Sequence, residues 1–189
     1  HSDGLCCKLG PPCPRSYSPP VQFRDFEVNR ASIVLGRRLG HGSFGEVYLA
    51  TWNNSVNVAV KKRLATTDRA RFIDEAKVMH KLHHPRIVQL LGVCTEPEDE
   101  PVYIITELME KGALNDFLHT EEGQALTLDD LIDMMAQISS GMSYLEENNS
   151  VHRDLRAANI LVDRDNSVKV ADFGLAKIMS NQDRADRTI

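Results

Sequence analysis

The chain is poor in features that mark disulfide-rich or zinc-binding proteins. It has four cysteines among 189 residues, at positions 6, 7, 13 and 94. Their spacing fits no zinc site, and the adjacency of Cys6 and Cys7 argues against a local disulfide. The sequence therefore predicts reduced thiols in a cytoplasmic protein.

Long apolar runs and an excess of positive charge are also absent. No run approaches the roughly 20 apolar residues that span a bilayer, and the formal net charge is -5 at pH 7. These absences predict no membrane span and no general affinity for nucleic acid. His1 is not an initiating methionine and no secretory signal follows it, so a lipid anchor encoded further upstream stays open.

Glycine is sparse, with 11 residues, yet three of them form a G-x-G-x-x-G pattern. Gly40, Gly42 and Gly45 precede the β-branched and aromatic segment 46–52, and Asn53-Asn54 follows as a hairpin signal. This arrangement favours two strands around a glycine-rich turn over the strand–helix junction of dinucleotide-binding folds. Backbone N–H groups in such a turn can close on phosphate oxygens. An ordinary glycine-rich hairpin is the alternative.

A lysine and a glutamate are predicted to pair inside the protein. The segment 56–61 alternates as a strand that ends at Lys61, and 71–82 has apolar residues at helical spacing. Glu75 lies on or beside that apolar stripe, and an inward carboxylate needs a cation. The pair would aim the ammonium at phosphates. The alternatives are a solvated lysine at a sheet edge and a solvated glutamate on a helix surface.

Two short runs near the C-terminal end carry the strongest functional signal. The first, His152–Asn159, offers Asp154 and Asn159 five positions apart in a polar stretch. The second, Asp172-Phe173-Gly174, places a carboxylate directly after a short apolar segment. Two carboxylates and an amide on neighbouring loops suit one task, which is to hold a divalent metal beside a triphosphate while a hydroxyl is deprotonated.

Together these motifs resemble protein kinases in order and spacing, and more narrowly the Src-type cytoplasmic tyrosine kinases. The narrower resemblance rests on Arg156-Ala157-Ala158, because serine/threonine kinases usually have a lysine two places after Asp154. It covers nearly the whole chain from about Phe26 to Lys177. It implies an α+β, bilobal kinase fold with a β-rich N-lobe, one helix in that lobe, and a truncated, mainly helical C-lobe.

The resemblance also implies a reaction, the transfer of the γ-phosphoryl group of ATP to tyrosine hydroxyls of protein substrates. Asp154 would orient the hydroxyl and accept its proton, with Arg156 beside it. Asn159 and Asp172 would bind Mg²⁺, and Lys61 would complete the catalytic set.

The ATP site implied by the resemblance lies between the two lobes. Lys61 and Glu75 would hold the phosphates, and Thr106 would stand behind the adenine, with backbone hydrogen bonds to its edge from Glu107 and Met109. The other residues implied to line this site come from the glycine-rich loop and the walls of the purine pocket: Leu39, Gly40, His41, Gly42, Ser43, Phe44, Gly45, Glu46, Val47, Ala59 and Leu161. Four residues would stack as a spine between the lobes, with generic core packing as the compatible alternative: Met79, Leu90, His152 and Phe173.

The resemblance divides the chain into four regions. These are a remnant of a Src-homology-2 domain, a linker, the N-lobe and part of the C-lobe: residues 1–14, 15–31, 32–107 and 108–189. The chain is expected to end inside the activation segment, whose residues 180–189 contain no tyrosine and place Arg184 near the usual autophosphorylation position. A long helix is predicted over 127–147, with a capping-box-like start and an apolar face left partly uncovered.

The sequence is consistent with three functions. The first is an active protein tyrosine kinase, with serine/threonine specificity as a minor variant. The second is a nucleotide-binding pseudokinase or scaffold, against which the intact catalytic residues argue. The third is an inert fragment whose ATP site forms poorly.

Overall fold

The computed structural model describes residues 22–41 and 45–178. Within these residues a five-stranded antiparallel sheet has the strand order β1-β2-β3-β5-β4. A three-stranded sheet has the order β6-β8-β9, and a two-stranded sheet pairs β7 with β10. The strands are β1 Ile33–His41, β2 Gly45–Trp52, β3 Val56–Arg63, β4 Leu90–Cys94, β5 Tyr103–Glu107, β6 Gly112–Ala113, β7 Ser150–Val151, β8 Ile160–Val162, β9 Val168–Val170 and β10 Lys177–Ile178. The α-helices are α1 Arg69–His80, α2 Leu114–Phe117, α3 Glu121–Gln124 and α4 Leu128–Glu147.

The hairpin between β2 and β3 turns where the sequence predicted it. Asn53 and Asn54 have φ values of 49° and 54°, in the left-handed region that asparagine tolerates better than most residues. The strands β1, β2, β3 and β5 pair side by side through this sheet. Gly40 lies in β1 and Gly45 begins β2, in agreement with the strands predicted on either side of the glycine-rich turn.

Helix α1 begins earlier and ends earlier than its apolar spacing predicted. Asp68 caps it by accepting a hydrogen bond from the Ala70 N–H at 2.9 Å, and this cap moves the start to Arg69. The helix ends at His80. Leu82 is buried beyond that end, because its apolar side chain packs in the core without continuing the helix.

The long helix α4 has the predicted capping box. Thr127 accepts a hydrogen bond from the Asp130 N–H at 3.2 Å, and the Asp130 carboxylate accepts one from the Thr127 N–H at 2.8 Å. Its buried side packs on β9, whereas part of its apolar face stays uncovered in the described structure at Leu128, Ile132 and Met135. No helix among residues 22–41 and 45–178 is long and apolar enough to cross a membrane.

The segment after α1 ties the two lobes together. The Val88 N–H donates to Val170 O at 3.0 Å, and the Val170 N–H donates to Arg86 O at 2.9 Å. Gly141 of α4 lies close by, since a Cβ there would come within 2.8 Å of Arg86 O.

A cleft opens between the five-stranded lobe and the helical lobe. The predicted α+β, bilobal fold is confirmed. The proposed domain remnant, residues 15–21 of the linker and the activation-segment residues 179–189 lie outside the described residues.

Candidate active site

The cleft between the lobes has a volume of about 830 Å³, within the range of small-molecule and cofactor sites. Most of the residues that sequence reasoning assigned to ATP, metal or catalysis line it: Leu39, Gly40, His41, Gly45, Val47, Ala59, Lys61, Glu75, Thr106, Met109, Arg156, Asn159, Leu161 and Asp172. They come from both lobes and from segments far apart in the chain. The fold therefore brings most of the predicted site together in one cleft, although Asp154 is not among the residues that line it.

Several predicted residues lie elsewhere or outside the described structure. Glu46 turns away from the cleft to accept hydrogen bonds from Arg38 and from the Tyr48 hydroxyl, both at 2.9 Å. Glu107 lines a second cavity and not the cleft. The roles of Gly42, Ser43 and Phe44 stay predictions, because these residues lie outside the described ranges.

A lysine and two carboxylates meet inside the cleft. The Lys61 ammonium donates to both oxygens of Glu75, at 2.7 and 2.8 Å, and to Asp172 Oδ1 at 3.2 Å. Strand β3 fixes Lys61 between Val47 of β2 and Ile104 of β5, and α1 brings Glu75 inward. Glu75 is 6% exposed, whereas the Asp172 side chain is 40% exposed. The ammonium is thus anchored on its buried side and accessible beside Asp172.

The electrostatics of this cluster follow from burial and pairing. Burial raises the pKa of Glu75, and the Lys61 ammonium offsets this only in part. Burial alone would lower the pKa of Lys61, but Glu75 and Asp172 outweigh it and the pKa is raised. Burial opposes ionisation of Asp172, yet the ammonium prevails and lowers its pKa. At neutral pH the cluster therefore presents a protonated lysine beside an ionised Asp172.

The loop that carries Asp154 is held from two sides. The Asn159 amide donates to the Asp154 backbone carbonyl at 2.8 Å and to Asp154 Oδ2 at 2.9 Å. The Arg156 guanidinium lies 3.4 Å from the same carboxylate oxygen. The Asp154 side chain is 34% exposed, so it is oriented by its neighbours and still open to solvent.

Two residues with a strained backbone lie beside these groups. Arg153 and Asp172 adopt φ values of 68° and 60°, which side-chain-bearing residues rarely do and which often mark functional sites. His152, at 1% exposure, shares a hydrogen bond of 2.8 Å with Ala171 O and packs edge-on against Phe173. This buried contact joins the Asp154 loop to the Asp172 loop. The other two predicted spine residues, Met79 and Leu90, are buried in the same core as Phe173.

Comparison with known proteins identifies the family. Residues 33–188 match the family model described as protein tyrosine and serine/threonine kinase. The chain belongs to this family. Tyrosine-protein kinase SRK2 of Spongilla lacustris is 52% identical over 189 residues, which covers 97% of this chain and 51% of that protein. Tyrosine-protein kinase SPK-1 of Girardia tigrina is 50% identical over 171 residues, covering 90% and 34%. The chain spans about half the length, or less, of these curated relatives.

The kinase cleft offers oxygen donors but no preformed metal cage. Among the residues that the structure describes, no group of three or more His, Cys, Asp or Glu side chains could hold a metal ion. Asp172 and Asn159 supply one carboxylate and one amide. This donor set fits Mg²⁺, which usually takes only one or two protein carboxylates and completes its shell with water and substrate phosphates.

Sequence reasoning missed a polar group at one end of this kinase's cleft. Asn115 and Asp116 line it, and the buried Asn115 Oδ1 has no hydrogen-bond partner in the described structure. They are the two middle residues of α2, between the buried Leu114 and Phe117. This i, i+3 apolar spacing could have indicated that the two intervening polar residues face the cleft.

Gly45 is the glycine whose replacement should disturb the site most directly. A Cβ at Gly45 would lie 2.7 Å from Lys62 O and 3.4 Å from Lys61 Cγ, whereas one at Gly40 would meet nothing within 4 Å. We expect Gly45→Ala to lower the free energy of unfolding of the nucleotide-free protein by about 1–3 kcal/mol. Gly40→Ala is the matched control, with a change below about 1 kcal/mol. Urea unfolding compares them, and equal effects of the two substitutions would contradict the packing argument.

Proposed function

We propose that this protein is an ATP- and Mg²⁺-dependent protein kinase that transfers the γ-phosphoryl group to tyrosine hydroxyls of protein substrates. The observation that carries the proposal is the placement of the Lys61 ammonium between buried Glu75 and accessible Asp172, inside a cleft of nucleotide size. Little covalent chemistry falls to the protein in phosphoryl transfer, so catalysis depends on positioning and on charge stabilisation.

Nucleotide binding follows from the two faces of the cleft. Val47 and Ala59 cover one side and Leu161 the other, which leaves an apolar slot for a purine ring. The polyphosphate would extend toward Lys61, whose charge Glu75 keeps in place. A Mg²⁺ ion held by Asp172 and Asn159 would neutralise charge on the γ-phosphoryl group.

Proton transfer falls to Asp154. The Asn159 amide orients its carboxylate, and its partial exposure leaves it accessible to an incoming hydroxyl. Arg156, beside the same carboxylate, would help to direct the substrate. Asp154 would align the hydroxyl with the terminal phosphate and accept its proton.

Tyrosine specificity is supported by Arg156-Ala157-Ala158 and by two relatives that are both named tyrosine-protein kinases.

The test of the proposed function is to incubate the protein with γ-labelled ATP, Mg²⁺ and an equimolar mixture of peptides containing tyrosine, serine or threonine. Phosphoamino-acid analysis should recover the label on tyrosine. Label on serine or threonine would overturn the specificity. Nucleotide binding without any transfer would favour the pseudokinase, and no nucleotide binding would favour the inert fragment.

The proposal extends to where the protein acts. We infer a cytoplasmic setting, because ATP is available there and the buried Cys94 would stay reduced. Burial raises the pKa of the Cys94 thiol to about 11, so it would be an inert thiol. A Src-homology-2 remnant at residues 1–14 and a lipid anchor upstream belong to the same proposal.

A further inference from the structure

A second cavity of about 300 Å³ lies at the start of the segment that connects the lobes, and it shares no lining residue with the nucleotide cleft. Glu107, the last residue of β5, and Lys169, the middle residue of β9, both line it. The Lys169 ammonium donates to Glu107 Oε2 at 2.6 Å. These two side chains are only 19% and 25% exposed. A half-buried ion pair thus joins the N-lobe sheet to a strand of the C-lobe.

The other oxygen of the Glu107 carboxylate is also used. The Gln89 N–H donates to Glu107 Oε1 at 2.8 Å, and the Glu107 N–H donates back to Gln89 O at 3.2 Å. The segment before Gln89 is itself bonded to β9 through Val88 and Val170. The contacts therefore close a ring that passes from β5 to Gln89, to β9, to Lys169 and back to Glu107.

This ring holds the connecting segment, residues 107–111, at its first residue. Its last residue is fixed separately, because the Lys111 N–H donates to Val162 O of β8 at 3.0 Å. Between these two anchors, Leu108 and Met109 line the nucleotide cleft. Lys169 is also the register partner of Leu161, which lines the opposite side of that cleft. The pair is therefore linked to both walls of the purine slot.

We propose that Glu107, Lys169 and the Gln89 backbone form an interlobe latch that positions the connecting segment against Leu161 and so sets the affinity for the nucleotide. This inference rests on the proposed function for its ligand. Lys169 acts through Glu107 and touches no reacting atom, so it is a positioning residue. The latch should affect nucleotide binding and leave the transfer step, which depends on Asp154 and Asp172, nearly unchanged.

The test compares the full chain with Lys169→Met, which keeps the length of the side chain and removes its charge, and with Lys169→Arg, which keeps the charge. Lys169→Met is expected to weaken equilibrium binding of Mg-ATP by about 2- to 30-fold, since substitutions along a coupled network change linked affinities by that order. Its KM for ATP should rise correspondingly while kcat stays within about twofold of the original, and Lys169→Arg should restore binding. Lys77→Met is the matched control, because it removes an exposed ion pair with Asp74 that should contribute little.

A second measurement needs neither ATP nor activity. Amide hydrogen exchange at residues 107–111 of the nucleotide-free protein should be faster in Lys169→Met than in the unsubstituted protein and Lys169→Arg, with α4 unchanged. Unchanged exchange at these amides would overturn the latch, whether or not the protein is a kinase. Equal loss of affinity in Lys169→Met and Lys169→Arg, or tighter binding in Lys169→Met, would also overturn it. Failure of the proposed function alone would appear as latch-dependent exchange without phosphoryl transfer.

Discussion

Replacement of Asp154 by asparagine is expected to lower kcat by about 10²- to 10⁴-fold, the usual contribution of a general base. Asparagine keeps the shape of the side chain, and its carbonyl oxygen can still accept the hydrogen bond from Asn159 that holds Asp154 at 2.9 Å. It cannot accept a proton from the substrate hydroxyl. Steady-state phosphorylation of a tyrosine peptide measures the loss.

The affinity for Mg-ATP separates this loss from a folding defect. It should change little in Asp154→Asn, because Asp154 does not line the nucleotide cleft. Asp165→Asn is the matched control, since Asp165 is an exposed carboxylate in the same lobe that accepts a hydrogen bond from the Ser167 N–H. Activity in Asp154→Asn equal to that of the Asp165 control would remove Asp154 from the mechanism.

Lys61→Met should have the other large effect, because it removes the cation that two carboxylates share. Phosphoryl transfer is expected to fall by about 10²- to 10³-fold, the order seen when one preorganised electrostatic group is lost. The protein should also lose roughly 3–5 kcal/mol of stability if Glu75 stays ionised, because a buried carboxylate would be left without its partner.

The stability loss in Lys61→Met should depend on pH. Burial already raises the pKa of Glu75 above its ordinary value of 4.5, and removal of the ammonium raises it further. The folded state then binds the Glu75 proton more tightly than the unfolded state, so stability is highest below the unfolded pKa and falls as pH rises through the folded pKa. Urea unfolding at pH 5 and pH 8 tests this sign.

A double substitution distinguishes the loss of stability in Lys61→Met from its loss of activity. Lys61→Met combined with Glu75→Gln should recover part of the stability at pH 8, because the buried charge is gone, but none of the activity. A double variant as unstable as Lys61→Met would mean that the loss comes from packing of the lysine stem. Recovery of activity would contradict the phosphate-binding role of Lys61.

Local patterns predicted much of this fold. The strand alternation over 56–61, the asparagine turn and the Thr127–Asp130 capping box each depend on neighbouring residues, and each is present, although β3 continues past Lys61 to Arg63. The predicted ends of α1 were less accurate, because the cap at Asp68 lies outside the apolar spacing from which the helix was predicted. Caps and burial, more than periodicity, decide where that helix begins and ends.

Contacts between distant residues were harder to predict. An inward carboxylate on α1 was enough to infer the Lys61–Glu75 pair, and the two are in contact. The direct bond from Lys61 to Asp172, 111 positions apart, has no local signal. The same holds for Glu107 and Lys169, 62 positions apart, because each charge alone is typical of a solvated surface. Such pairs depend on the packing of the two lobes.

Calorimetric titration of ATP with and without Mg²⁺, on the unsubstituted protein and on Asp172→Ala, tests the central claim most directly. The claim is that Asp172, the accessible carboxylate beside Lys61, binds the Mg²⁺ ion that in turn binds the phosphates of ATP. We expect Mg²⁺ to tighten ATP binding in the unsubstituted protein and to have little effect in Asp172→Ala. Identical metal dependence in the two proteins would contradict the account.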